Sequence, residues 1–147
     1  MTSIRPLGPE NRAAWSTLWR GYLDFYETTL PDATYDATWS RLLAGQELHG
    51  LAAWTDRRMV GITHYMFHPT CWDTRPLCYL QDLFVEPATR GTGAGRALIE
   101  AVGEAARARN ALRVYWMTQA GNTVARQLYD RLARHAGFIR YDLLPTS

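Results

Sequence analysis

Residues 90–96 read Arg-Gly-Thr-Gly-Ala-Gly-Arg, three glycines at alternating positions between two arginines. An apolar, β-favouring stretch at 77–85 leads into this turn, and Ala and Leu/Ile/Val at helical spacing follow it. A strand that enters a helix through such a turn offers backbone N–H groups and the positive end of a helix dipole to an anion. Glycines at 91, 93 and 95 remove side chains where a phosphate must come close. A nucleotide-binding Walker loop would need Lys and then Ser or Thr, where Arg96 and Ala97 stand, and a dinucleotide fingerprint would need glycine at position 96. The spacing fits a diphosphate cradle of another kind, and the flanking arginines and Ala-rich helix favour that reading over a merely flexible turn.

The elements that must position this turn follow from periodicity. A short extended start covers about 3–7, and Trp15, Leu18, Trp19, Tyr22, Phe25 and Tyr26 mark an amphipathic helix over about 9–28. A second helix is expected over 35–43, ending at Gly45. Strands at 48–55 and 59–67 flank a turn at 56–58, and 77–85 forms another strand, stopped by Glu86-Pro87. Beyond the turn come a helix over 93–109, a strand over 112–117, a helix over 122–135 and a final strand over 137–141. The order β-α-α-β-β-β-α-β-α-β describes a mixed α/β domain, an α+β mixed sheet with one parallel crossover at the glycine turn.

The 147 residues suit one domain, 1–147. Apolar residues make up 47% and charged residues 20%, so the chain should bury a core. All 16 cationic residues are Arg, which codon bias explains well enough, and the net charge is +2. That total conceals a gradient: four Arg against six acids in 1–50, five against five in 51–100, seven against three in 101–147. So small a net charge gives no reason to expect nucleic-acid binding. Cys71 and Cys78 form neither a disulfide framework nor a zinc site, and no metal is expected. With no apolar leader and no run of 18 apolar residues, a cytoplasmic protein without a membrane span is the expectation.

Taken together, Arg90-Gly-Thr-Gly-Ala-Gly-Arg-Ala-Leu98 behind Tyr79-Leu-Gln-Asp-Leu-Phe-Val-Glu-Pro87 resembles the acetyl-CoA motif of the GNAT superfamily of N-acetyltransferases. The likeness continues through Val114-Tyr-Trp-Met-Thr118, Asn122, Ala125, Leu128-Tyr129 and Gly137-Phe138, covering essentially the whole chain. His64-Tyr65, Trp72 and the 79–85 strand look most like the diamine/polyamine branch and the histone/polyamine acetyltransferase-like proteins. The resemblance implies an acetyl-CoA-dependent N-acetyltransferase that moves an acetyl group to a primary amine of a small molecule, polyamine-like or amino-acid-like, by direct attack in a ternary complex. A non-catalytic acyl-CoA-binding or sensing module, and a protein lysine or N-terminal acetyltransferase, are the competing expectations.

The same resemblance assigns residues. Backbone of Leu83, Phe84 and Val85 would bind the pantetheine arm and thioester oxygen, while Arg90, Gly91, Thr92, Gly93, Ala94, Gly95 and Arg96 would hold the pyrophosphate. Tyr129 matches the family's general acid toward the CoA sulfur, a suitable task for a phenol that stays protonated at neutral pH. By spacing alone it is an aromatic on the inner face of its helix. Asn122 is the expected N-cap of that helix, and by the resemblance it is a catalytic residue with Tyr129 and a cofactor contact. The polyamine enzymes have adjacent acids where Gln81-Asp82 stand here, and because alternate strand residues face opposite ways, Asp82 does not simply replace an acid at 81. His64, Tyr65 and Glu27 are other candidates for a base, His64 being more often a structural histidine. The amine pocket is expected to draw on the first two helices, the 67–77 loop and the strand bearing Gln81. Tyr26, Glu27, Trp72, Gln81 and Asp82 would be substrate-binding, with Tyr22 and Tyr35 beside them, because aromatics and an acid suit a cationic amine. Family members are often dimers, so the resemblance allows a homodimer.

Overall fold

The computed structural model describes residues 1–145. They divide into two units, Met1–Met117 and residues 118–145.

In the first unit, five strands line up in chain order: β1 (Thr2–Pro6), β2 (His49–Thr55), β3 (Arg58–Thr70), β4 (Asp73–Val85) and β5 (Val114–Tyr115). The first four are antiparallel, and β4 and β5 are parallel. Helices α1 (Arg12–Phe25) and α2 (Asp32–Ala44) join β1 to β2, and α3 (Ala94–Ala108) makes the parallel crossover from β4 to β5. The expected first helix begins instead with a 3-10 turn at Pro9–Asn11, where proline lacks the N–H that a helix start leaves unpaired anyway.

The sheet is covered on both faces. Trp15, Trp19, Tyr35, Trp39 and Leu42 of α1 and α2 pack with Ala52, Met59 and Ile62, while Ala94 and Leu98 of α3 pack with Ala53 and Val60. Met59 to Tyr65 are buried without a break because β3 is central and covered from both sides. Trp15 is wholly buried, with Trp39 and Tyr35 against it at ring-centroid distances of 5.1 and 6.1 Å. Tyr35, expected at the pocket, is therefore a core residue. Where Gly21 of α1 meets the sheet, a Cβ would lie 2.9 Å from the Phe84 ring. Any larger residue there would push the Phe84 ring aside.

Two departures from the sequence reading shape the site. The 67–77 loop is instead the end of a long hairpin, paired as far as Thr70↔Asp73. The 112–117 strand shrinks to Val114–Tyr115, paired only as Cys78↔Val114 and Tyr79↔Tyr115.

In the second unit, α4 (Thr123–Leu132) starts at Asn122, whose side chain accepts from the Ala125 N–H at 3.4 Å. Ala125, Leu128, Tyr129 and Leu132 are half-buried, and Val124, Gln127, Asp130 and Arg131 are exposed, so the expected inner face is present. The final strand over 137–141 is not formed among the described residues. Phe138, Ile139 and Tyr141 carry strand propensity but are 78–87% exposed, and propensity without a partner strand does not make a ladder.

Candidate active site

The glycine turn is built by backbone conformation. After β4, a 3-10 turn at Pro87–Thr89 delivers the chain to Gly91 and Gly93, at φ 86° and 91°. Side-chain-bearing residues avoid this region, so these two glycines are required by the path of the chain. A Cβ at either would meet nothing within 4 Å, so there is open space beside both. The first bond of the α3 ladder runs from Ala97 N–H to Gly93 C=O at 3.0 Å, and the N–H groups of Ala94, Gly95 and Arg96 precede it. Ala94 turns its methyl into the core and so has backbone to offer a ligand. Thr92 Oγ1 donates to the Thr89 carbonyl at 2.6 Å, bracing the turn.

The two arginines have protein partners. Arg90 Nε donates to the Val85 carbonyl at 3.0 Å and its guanidinium lies 5.6 Å from the Phe84 ring centroid. Arg96 pairs with Glu100 one helical turn on, at 3.2 Å. The groups that the turn could offer an anion are thus backbone N–H groups in the first place, with the remaining guanidinium donors beside them.

Beside the turn, the sheet opens. Strand β5 ends its pairing with β4 at Tyr79, so from residue 80 to Val85 that edge of β4 has no strand partner among the described residues. Leu83, Phe84 and Val85 lie on this stretch. An unpaired edge presents N–H and C=O groups that an extended ligand with amides can use.

Next to this edge is a cluster that the sequence did not disclose. The register pairs His64 with Asp82 and Tyr65 with Leu80, leaving Gln81 as the extra residue of a β-bulge. Gln81 is exposed, and Asp82 is the carboxylate that meets α1. Tyr22 faces Asp82 from α1, and burial first, then the Asp82 charge, push its pKa well above the ordinary phenol value. His64 Nδ1 lies 2.9 Å from Asp82 Oδ2, and the Trp15 indole N–H donates to His64 Nε2 at 3.0 Å. Thr63 Oγ1 donates to the Asp82 carbonyl at 2.8 Å, so Asp82 is held by backbone and side chain alike. Tyr22 also connects the cluster to the turn: its ring is 6.5 Å from that of Phe84, on which Arg90 lies.

Of the other expected amine contacts, Tyr26 is half-exposed with its ring 5.0 Å from that of Tyr22. Glu27, exposed and at φ 53°, occupies the left-handed position that ends α1, where Thr28 N–H bonds the Leu23 carbonyl. Trp72, 90% exposed, stands at the tip of the β3–β4 hairpin, ten residues of strand or roughly 33 Å from Asp82. It does not join the cluster. A cavity of about 480 Å³ lies at that same distant end, lined by Phe67, His68, Asp73 and Arg109, and touches none of the residues above. Tyr129 and Asn122 belong to the second unit, Asn122 as the expected cap.

A mixed sheet, opened beside a glycine turn at a helix N-terminus, suits a class of acyl-transfer proteins, and the chain belongs to one: residues 13–133 match the Acetyltransferase (GNAT) family. It is an N-acetyltransferase. Among its relatives, the D-amino-acid N-acetyltransferase HPA3 of Saccharomyces cerevisiae is 30% identical over 141 residues, covering 94% of this chain and 88% of the relative. The fold is shared with AAC(6')-Iy in complex with a bisubstrate analog, CoA-S-monomethyl-acetylneamine, at TM-score 0.87 and 19% identity over 99% of both chains. A ribosomal-protein-alanine N-acetyltransferase from Brucella melitensis biovar Abortus 2308 superposes at TM-score 0.81 with 19% identity, over 98% of this chain and 99% of that one. Among the described residues no helix is long and apolar enough to cross a membrane.

Proposed function

We propose that the chain, as a single domain, acetylates the primary amine of a cationic small molecule, amino-acid-like or polyamine-like. The observation that carries this reading is the Asp82 carboxylate beside Tyr22, whose ring meets that of Tyr26 and is joined through Phe84 to the glycine turn. A carboxylate with aromatic neighbours suits an ammonium group through ionic and cation–π contact. The amino-acid substrate in the name of the HPA3 relative supports the choice.

Bound acetyl-CoA would supply an acetyl thioester: the amine, its proton given up to solvent, would bond the acetyl carbon as the C–S bond breaks and CoA leaves as the thiol. In this reading Gly91, Gly93 and the N–H groups that open α3 bind the pyrophosphate, with Arg90, Thr92 and Arg96 at the rim. The free edge of β4 over Leu83, Phe84 and Val85 orients the pantetheine arm. Asp82 receives the ammonium, Tyr26 and Glu27 flank it, and Gln81 stands exposed at the bulge beside it. Tyr129 supplies the proton for the departing sulfur, and Asn122 caps the helix that carries it.

The test is thiol release from acetyl-CoA over a panel of D- and L-amino acids, di- and polyamines, aminoglycosides and a lysine peptide. Turnover with small cationic amines is expected. Turnover with the peptide alone would contradict the reading.

A further inference from the structure

We propose that Trp15 and His64 are positioning residues for the amine, acting through Asp82: Trp15 fixes the proton arrangement of His64, and His64 in that form holds Asp82 as the anion of the site. This rests on the reading of Asp82 as the amine-facing carboxylate.

An indole N–H can only donate, so the His64 nitrogen 3.0 Å from Trp15 Nε1 must offer a lone pair. That makes Nε2 the bare nitrogen, and the ring proton sits on Nδ1, which donates to Asp82 Oδ2 at 2.9 Å. His64 is then uncharged, both its nitrogens are used, and it is no base for the amine. It lies in closed surroundings. The side chain is 5% exposed, the Trp19 ring meets it edge-on at 4.9 Å, and Trp15 is wholly buried.

The consequence lies in the charge that the substrate meets. A carboxylate beside a neutral imidazole carries a full negative charge, whereas one beside an imidazolium forms a pair of net charge zero. The titratable groups around Asp82 are His64 from β3 and Tyr22 from α1, with Tyr26 and Tyr79 acting on Tyr22, and the three tyrosines bring no cation. On the Trp15 side, Arg12 lies 6.0 Å from the indole ring and is paired with Asp36 at 2.7 Å. Asp82 is 14% exposed and gives Oδ2 to His64, and Tyr22 beside it brings no charge, so the carboxylate keeps its negative charge to meet an ammonium. Thus a tryptophan that touches no ligand selects for a cationic amine, two hydrogen bonds away.

Three measurements on the full chain test this. Nitrogen-15 NMR of histidine-labelled protein at neutral pH is expected to show His64 with a protonated Nδ1 and a bare Nε2, and a protonated Nε2 would overturn the proposal. Trp15→Phe, which removes the donor and frees Nε2 to take a proton, should raise the amine KM about tenfold with kcat changed less than about threefold. Adding His64→Gln to Trp15→Phe should bring the amine KM back to within about threefold of the parent, because an amide donates to Asp82 but cannot become a cation. Mere damage to packing would not be repaired by the second substitution, so an unrestored KM overturns the proposal, as does an unchanged KM in Trp15→Phe. If Trp15→Phe does not fold, His64→Gln against His64→Leu decides: the leucine variant should show an amine KM about tenfold above the glutamine variant, and equal values count against it. A correct tautomer together with an Asp82→Asn variant of unchanged amine KM would refute the amine site of the preceding section, whereas a bare Nδ1 refutes this inference alone.

Discussion

The glycine turn and the Asp82 cluster lie side by side but are made in opposite ways. The turn is seven consecutive residues whose working groups are backbone, open to solvent, with two glycines at positive φ. The cluster draws Trp15 and Tyr22 from α1, His64 from β3 and Asp82 from β4, and its working groups are buried or half-buried side chains in fixed hydrogen bonds. A site made of local backbone tolerates change in everything except conformation. One made of distant side chains depends on each partner and on the register between strands. Cofactor binding and amine binding should therefore fail separately.

The largest effect expected is on the turn. Gly93→Val places a β-branched residue at φ 91° and puts methyl groups into the open side of the cradle, and CoA affinity by calorimetry should fall by about a hundredfold or more. Amine binding does not use this turn, so a normal CoA affinity in this variant would remove the reason for separating the two regions. Tyr129→Phe stands outside both regions and sharpens the contrast. It should lower kcat by about a hundredfold while CoA affinity stays within about twofold, since only a proton donor is lost. Unchanged turnover would take Tyr129 out of the chemistry.

The smallest effect concerns stability. The Tyr22 phenol is raised by burial and by Asp82, so its contribution is complete below the ordinary tyrosine value of about 10 and is lost as pH climbs above it, where the unfolded chain ionises first. Tyr22→Phe should flatten the fall of unfolding free energy above about pH 10. The change should be a fraction of the single-group slope of about 1.4 kcal/mol per pH unit, because the phenol is only partly buried. Denaturant melts at a series of alkaline pH values would detect it, and identical slopes would show that Asp82 and Tyr22 are not coupled.

The contrast also explains what could be read from the sequence. The turn was legible because its signal is local: glycine spacing, a strand before and a helix after. The helix faces of Trp15 to Tyr26 and of Ala125 to Leu132 were legible for the same reason, as repeats of three and four. Asp82 was placed among the amine contacts, but its partners were hidden, because pairing it with His64 needs the strand register and the bulge at Gln81, which alternation along one strand does not reveal. Trp15 and Tyr35 look alike as aromatics on helical faces, yet one donates a buried hydrogen bond to the cluster and the other fills the core. Trp72 was misjudged as a neighbour of Asp82 because a loop was expected where β3 and β4 run on to a distant tip. The 137–141 strand was read from composition alone, which supplies propensity but no partner.

The account stands most directly on Asp82→Asn, measured as amine KM beside CoA affinity in the same preparation. The substitution keeps the shape and removes the charge, so the amine KM should rise about thirtyfold, on the order of one charge-assisted contact, with CoA affinity within about twofold of the parent. An amine KM that does not move would contradict the claim that this carboxylate receives the substrate.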